Sequence, residues 1–400
     1  MKSELTHMKI HELPIYISDG NYSSKYPTAE EMLDEGIPFV RANNLSGNIV
    51  ELSDMKYISI HKHQELLKGH IKENDILICV RGDIGKTAVV PKELDDANIN
   101  AQLALLRITD AKKVYYKYLL YAMKYDGFLM QVKQNQTGTA LKQLPINKLK
   151  DLNIVVISIE KQIKIAEVLD KAQSLINKRK QQIQACNELI KSQFIEMFGD
   201  PLTNSKGWDV YNVSEVCTKI TDGEHKNPEF ISQGIPMVMA NNVREYVVLD
   251  NCKYISQEDY DKFSKKCNPE YGDVLLVSRG ATIGRCCKNN LKVHFALMGS
   301  VILLKPNNDV INADYLMAWF MQESIKPYIY QTSSATAQQA IYMKDLKEKR
   351  IILPPIKLQN EFAQFVQQVD KLKFGMEQSL RELEANFNSL MQRAFNGELF

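Results

Sequence analysis

The sequence predicts an α+β protein in which one architectural unit occurs twice. Three observations carry the prediction. An ordered series of motifs returns about 198 residues later. Each copy mixes short apolar strands with short amphipathic helices. Each copy then runs into a long segment without proline and, except for Gly375, without glycine.

The repeat is the primary signal, because a missed repeat mis-assigns the whole fold. Gly36-Ile37-Pro38-Phe39-Val40-Arg41-Ala42-Asn43-Asn44-Leu45 returns as Gly234-Ile235-Pro236-Met237-Val238-Met239-Ala240-Asn241-Asn242-Val243, an offset of 198 (234 less 36). Lys56-Tyr57-Ile58-Ser59 returns as Lys253-Tyr254-Ile255-Ser256, an offset of 197 (253 less 56). Asn74 to Gly82 matches Gly272 to Gly280, Ile17-Ser18-Asp19-Gly20 matches Ile220-Thr221-Asp222-Gly223, and Gln162 matches Gln359. The order is the same in both halves, as duplication requires. The period is too long for a solenoid repeat, which runs about 20–50 residues. Each copy is therefore a domain with an appendage.

Within each domain, Asp75 to Cys79, Leu103 to Ile108 and Val301 to Leu304 have the continuous apolar character of buried strands. Tyr115 to Met123 and Tyr315 to Met321 carry apolar residues at helical spacing. Leu152 to Ile157 and Leu346 to Leu353 read as closing strands, the second stopped by Pro354-Pro355. The appendages are helical. Leu169, Ala172, Ile176, Ile183, Cys186, Ile190, Phe194 and Met197 form one apolar seam, interrupted by Arg179. Phe362, Phe365, Val369, Leu372, Met376, Leu380, Leu383, Phe387, Leu390 and Ala394 form the other. Gly375 weakens that helix by about 1 kcal/mol relative to alanine. Two such seams predict an antiparallel coiled coil separating two similar domains, with internal pseudo-two-fold symmetry. Roughly 35–40 residues make each helix about 50–60 Å long.

Composition sets broad limits. The 400 residues exceed one ordinary core, so several domains are expected. No apolar run is long enough for a membrane span, and Met1 to Ile10 lacks the apolar core of a signal peptide. Seven cysteines without a CxxC pair suit reduced thiols and a cytoplasmic location. The net charge of +2 is modest for a nucleic-acid binder, so any basic surface must be local.

Together these features resemble the DNA specificity subunits of type I restriction–modification enzymes, over essentially the whole chain. The motifs are the stretch Gly272 to Gly284, with its counterpart Asn74 to Gly85, and Gln136-Thr137-Gly138-Thr139-Ala140. Phe198-Gly199-Asp200-Pro201 followed by Lys206-Gly207-Trp208, and the ending Arg393-Ala394-Phe395-Asn396-Gly397-Glu398-Leu399, complete them. The resemblance implies target-recognition domains over residues 1–157 and 201–355, each reading half of a bipartite DNA site. Residues 158–200 and 356–400 would be the conserved spacer helices. It implies double-stranded DNA, two methyltransferase (modification) subunits and motor-nuclease (restriction) subunits as partners. S-adenosylmethionine, ATP and magnesium would belong to those partners, with no cofactor in this chain. The alternatives are the specificity component of a two-component type II system, and a coiled-coil scaffold without a DNA role.

Catalytic signals are weak. Asn227-Pro228-Glu229-Phe230 and Asn268-Pro269-Glu270-Tyr271 lack the second proline of an amino-methyltransferase motif and read as turns. Gly82-Asp83-Ile84-Gly85-Lys86 lacks the spacing of a phosphate loop. His61, His63 and His70 read as a solvated polar loop, with no carboxylate or cysteine cluster beside them to hold a metal. The chain is thus expected to be non-catalytic.

For DNA reading, arginine suits guanine and asparagine or glutamine suits adenine, while phosphates take any cation. Candidates lie in loops common to both copies. They are Lys25 and Tyr26, with His225 and Lys226, after the Asp-Gly turns. Arg41, Asn43 and Asn44, with Asn241, Asn242 and Arg244, follow a strand, where the asparagines also suit plain turns. Arg81 and Lys86, with Arg279 and Arg285, sit on the glycine turns. Thr137, Thr139 and Lys142, with Ser334, Thr336 and Gln338, occupy polar loops. The first glycine turn is one residue shorter than the second and carries Asp83, which opposes a phosphate contact there.

Overall fold

The computed structural model describes residues 5–22, 24–139, 141–332 and 339–399. It divides into two compact units, Met1–Arg179 with Ser379–Phe400, and Lys180–Gln378. Among the described residues, the first unit has a sheet ordered Ile15–Asp19, Leu103–Ile108, Ile76–Cys79, Thr87–Val89, Ile49–Val50, Leu45–Ser46. The second has Cys217–Asp222, Val301–Pro306, Val274–Val277, Cys286–Lys288 in the same order. Each unit adds a smaller sheet containing a parallel pair, Ile37–Val40 with Asn98–Ile99 and Ile235–Val238 with Ala296–Leu297. The register repeats as well. Leu103 opposes Cys79, and Val301 opposes Val277.

The central strands are apolar throughout because both of their faces are buried. Ile76 and Ile78 face a core containing Ala104, Leu106 and Tyr118. Leu77 and Cys79, pointing the other way, join Val40, Leu103 and Leu105. Val274 and Leu276, against Leu275 and Val277, divide between two cores in the same manner. A closing strand, Asn153–Val156, pairs with Thr6–Lys9, and its counterpart Arg350–Leu353 pairs with Asp209–Asn212. The strand expected from Leu346 is shorter than its apolar content suggests. Met343–Glu348 is a helix, and the strand starts only at Arg350.

The long helices are Ile159–Phe198 and Ile356–Phe395. In the first unit, Ile165, Ala166 and Leu169 share a core with Met391, Ala394 and Phe395. In the second, Ile190, Phe194 and Phe198 share one with Phe362, Val366 and Val369. In each unit the start of one helix meets the end of the other, which is antiparallel pairing. One seam position differs from the sequence reading. Leu372 is 61% exposed, and Lys373 turns inward instead at 7%. Its ammonium donates to Asn187 at 2.7 Å and pairs with Glu245. The apolar count favoured the leucine, but a step of four from Val369 lands on the lysine, whose charge has partners there.

Each long helix leaves its sheet through one buried glutamine. The Gln162 amide donates to the carbonyls of Ile157 and Lys113, both at 2.9 Å, and accepts the Tyr115 N–H at 2.9 Å. Gln359 donates to Pro354 at 2.7 Å and Val310 at 3.3 Å, and accepts the Asn312 N–H at 2.9 Å. Every partner is displaced by the same 197 residues. Each amide joins the helix's first turn, the end of the closing strand and the loop before the helix Tyr116–Ala122 or Ala313–Met321.

All seven cysteines are free and buried. Burial pushes the Cys79 thiol up to about 11 and those of Cys217, Cys267 and Cys287 up to about 12. These four should therefore resist iodoacetamide in the native chain and react after urea unfolding, as read by mass spectrometry. Gln162→Leu and Gln359→Leu should each lose about 3 kcal/mol in urea denaturation, since each strands three backbone groups.

Candidate nucleic-acid interface

The glycine turns close identically in the two units despite the one-residue difference. In the first, the Cys79 N–H donates to the Lys86 carbonyl at 2.8 Å and the Gly85 N–H to Cys79 at 2.9 Å. In the second, the Val277 N–H donates to Arg285 at 2.8 Å and the Gly284 N–H to Val277 at 2.9 Å. The extra residue lies in the tip. Gly82, Gly85, Gly280 and Gly284 all have positive φ, between 77° and 97°, which side chains with a Cβ disfavour. At Gly284 a Cβ would also meet the Tyr330 hydroxyl, which donates to the Ile283 carbonyl at 3.0 Å.

A ring from the Asp-Gly loop lies beside the first turn, and the equivalent ring of the second unit lies on Gly299. In the first unit the Arg81 guanidinium sits over the Tyr22 ring, 4.4 Å from its centroid, and donates to Gln143 at 3.1 Å. The Tyr22 hydroxyl donates to the Ala101 carbonyl, and burial pushes its phenol above the ordinary value against the pull of Arg81. Counting from the Asp-Gly turns, Tyr22 corresponds to His225. The His225 ring lies on Gly299, the counterpart of Ala101. It pairs with Asp222 at 2.7 Å, as does Lys266. Burial raises the Asp222 carboxyl, but these two partners carry it below its ordinary value. Arg279 is exposed, with no hydrogen bond or ion pair to the described residues.

The polar loop completes the first site. Thr137 and Gln143 exchange backbone hydrogen bonds at 2.8 and 2.9 Å, and Gln143 bridges to Arg81. Thr139 and Lys142 are exposed beyond them, with Leu141 at 89% exposure. Arg81, Thr137, Thr139 and Lys142 therefore share one edge. Their counterparts Ser334, Thr336 and Gln338 lie outside the described residues. Lys25 and Lys226 are exposed on the loops after the Asp-Gly turns. Tyr26 is half-buried, packed edge-on to Phe39 at 5.9 Å. Burial raises its phenol against a backbone hydrogen bond from Ala101 and the nearby Arg41 charge. Arg244 and Arg285 open on a cleft of about 780 Å³ in the second unit, with Lys191, Lys326 and Tyr330 on its walls.

Two candidate contacts are corrected. Asn44 and Asn242 are 2% and 3% exposed. The Asn44 oxygen accepts the Arg41 N–H at 2.9 Å, and its amide donates to the Asp54 carbonyl at 3.3 Å. Asn242 does the same with the Met239 N–H, at 3.0 Å, and the Val248 carbonyl, at 3.1 Å. Both side chains are spent on their own loops and present no edge to a base. Arg41 is likewise held, by Asp54 at 3.0 Å, while Asn43 and Asn241 are exposed. Tyr22, Gln143 and Tyr330 were not singled out from sequence. Tyr22, two residues past the Asp-Gly turn, had a local signal; the other two act through long-range contacts.

The chain matches the family described as type I restriction modification DNA specificity domain over residues 15–185 and again over 205–385. It is 21% identical to the Escherichia coli type I restriction enzyme EcoBI specificity subunit, spanning 91% of this chain and 80% of that one. It is 23% identical to the putative type I restriction enzyme MjaX specificity subunit of Methanocaldococcus jannaschii, spanning 93% and 89%. Among solved structures, a type I restriction–modification assembly contains a chain of similar fold, with a TM-score of 0.56, 19% identity and coverage of 99% and 98%. The type I restriction–modification system S subunit from M. genitalium has a similar fold, with a TM-score of 0.51, 16% identity and coverage of 98% and 96%.

Asn44→Ala and Asn242→Ala should each unfold about 2 kcal/mol more readily in urea. The exposed neighbours Asn43→Ala and Asn241→Ala should stay within about 0.5 kcal/mol of the parent.

Proposed function

Since the chain belongs to the type I restriction modification DNA specificity family, matched in both halves, we propose that its two units each read one half of a bipartite DNA site. One observation carries the reading: both units close the same glycine turn with an arginine on it, Arg81 stacked on Tyr22 in the first and Arg279 exposed in the second. Arg279 is the sharpest candidate, an uncommitted guanidinium able to reach a phosphate or a guanine edge. Arg81 is preorganised by Tyr22 and Gln143, and Thr137, Thr139 and Lys142 lie on its side of the domain. Lys25, Lys226, Arg244 and Arg285 supply further positive charge.

The long helices serve as spacer and as docking surface for two modification subunits, with restriction subunits joining the full enzyme. The methyl donor, ATP and magnesium act in those partners, and this chain contributes recognition without catalysis. The site of action is the cytoplasm. Among the described residues, no helix is long and apolar enough to cross a membrane.

In the assembled methyltransferase, Arg279→Ala should weaken DNA binding about tenfold and lower the log–log salt slope by about 1. Unchanged filter binding and methylation would remove Arg279 from the interface. Exchanging residues 1–155 for those of another family member should alter one half of the methylated sequence. A change in both halves contradicts two independent readers, and unchanged methylation contradicts reading by the first unit.

A further inference from the structure

We propose that the first unit holds a divalent zinc-class ion on His63, His70 and Asp96, with water completing the coordination. The three side chains come from separate elements. His63 lies in the helix Ile60–Glu65, His70 bridges Asn98 at a sheet edge, and Asp96 follows the turn Lys92–Leu94. His63 Nε2 is 3.6 Å from one Asp96 carboxylate oxygen, and His70 Nδ1 is 3.7 Å from the other. One ligand atom from each residue falls within 4.8 Å of the other two. Zinc bonds of about 2.0–2.2 Å at tetrahedral angles place ligand atoms roughly 3.4 Å apart, so only a small closure is needed. The sequence showed no carboxylate cluster beside the histidines; the sheet edge brings Asp96 to them. Its N–H donates to the Ile71 carbonyl at 2.8 Å, and the Ile71 N–H donates to Ala97 at 2.9 Å.

The outward ring nitrogens fix what the inward ones present. His63 Nδ1 faces the Asn98 side-chain oxygen at 2.5 Å. His70 Nε2 faces the Leu66 carbonyl. Both oxygens only accept, so both outward nitrogens carry the hydrogen. In the neutral rings, His63 Nε2 and His70 Nδ1 then turn lone pairs toward the Asp96 carboxylate. Three acceptors converge with no donor among them, an arrangement that attracts a cation. A metal-bound histidine characteristically donates its other N–H to a carbonyl or carboxylate, as both do here. Two imidazoles, one carboxylate and solvent access through Asp96 suit zinc, or cobalt as its probe.

The second unit shows the same corner closed differently. His63 corresponds to Tyr260 at an offset of 197, and His70 and Asp96 correspond to Asn268 and His294 at 198. The Tyr260 hydroxyl lies 3.3 Å from the Asn268 oxygen and 3.1 Å from His294 Nδ1. There a hydroxyl hydrogen sits among the acceptors, and no ion is required.

The test uses the full chain, stripped by chelation and titrated with Co²⁺ and then Zn²⁺. The expected result is one Co²⁺ per chain with visible d–d absorption, displaced by Zn²⁺. The thermal midpoint should rise by several degrees with Zn²⁺ and return to its starting value on chelation. His70→Asn should abolish saturable uptake. The triple variant His63→Tyr, His70→Asn, Asp96→His imports the second unit's corner; it should fold without metal, by circular dichroism, and take up none. Undiminished uptake in that variant would place the metal elsewhere. An absence of saturable uptake by the parent chain would overturn the proposal.

Discussion

The buried amides of Gln162 and Gln359 are the joints on which both units depend. At 1% and 0% exposure, each side chain is cut off from water and must satisfy both its amide ends internally. It does so with three backbone groups that no helix or sheet ladder would otherwise serve. The Tyr115 and Asn312 N–H groups precede short helices, where the first donors lack partners. The Ile157 and Pro354 carbonyls lie where a strand has ended and a helix begins. One amide thus sets the angle at which a 40-residue helix leaves its sheet. Around it, Tyr118 and Tyr315 repeat a second cross-link, donating to the Val155 carbonyl at 3.0 Å and to Ile352 at 2.7 Å. The aromatic residues Phe194, Phe198, Tyr315 and Phe362 pack against each other in the second unit, their ring centroids 4.9–5.8 Å apart in each contact. Such contacts make the joint stiff.

At the buried acid of the central sheet the two copies keep the chemistry, while on the loop surface they vary the residue. Asp75, buried, is clasped by both guanidinium arms of Arg107 at 2.9 and 2.7 Å. At the matching place Asp273 is paired with Lys305 at 2.7 Å. The arginine has become a lysine, but a buried carboxylate still meets a cation, because an unpaired one is costly. Tyr22 and His225, by contrast, occupy equivalent sites on a loop surface and differ in shape, charge and hydrogen bonding. A sheet that reproduces register and turn closure, while its rim changes residue type, is suited to presenting two different recognition surfaces on one scaffold.

Much of the fold was legible because it repeats and because its elements have strong periods. Ile76–Cys79 and Val274–Val277 announce buried strands by four consecutive apolar residues. The 3.6-residue period exposes the long helices. It does not choose between Leu372 and Lys373, since that choice depends on Asn187 and Glu245, which are distant in sequence. The site was less legible for the same reason. Asn44 and Asn242 look identical to their exposed neighbours as letters; only the loop closure makes them structural. The His63–His70–Asp96 cluster joins residues 26 and 33 positions apart through strand pairing, which no local pattern encodes.

Charge sets a limit on how this chain can hold DNA. The excess over the whole sequence is +2, and many cations are already committed. Arg41 pairs with Asp54, Arg107 with Asp75, Lys266 with Asp222, Lys305 with Glu270 and Asp273, and Lys373 with Glu245. A cation neutralised within the protein displaces few counterions from a duplex, so it adds little to affinity. Under the proposed function, local clusters of the cations that remain, such as Arg279, Lys142 and Lys226, must supply the phosphate contacts, since the net charge supplies no general attraction. Partner subunits docked on the helices, as the proposed function has them, would add affinity and leave the loops of this chain to discriminate among bases. A near-neutral reader gains from that division: with weak nonspecific attraction of its own, it spends less of its binding on sites that lack the sequence.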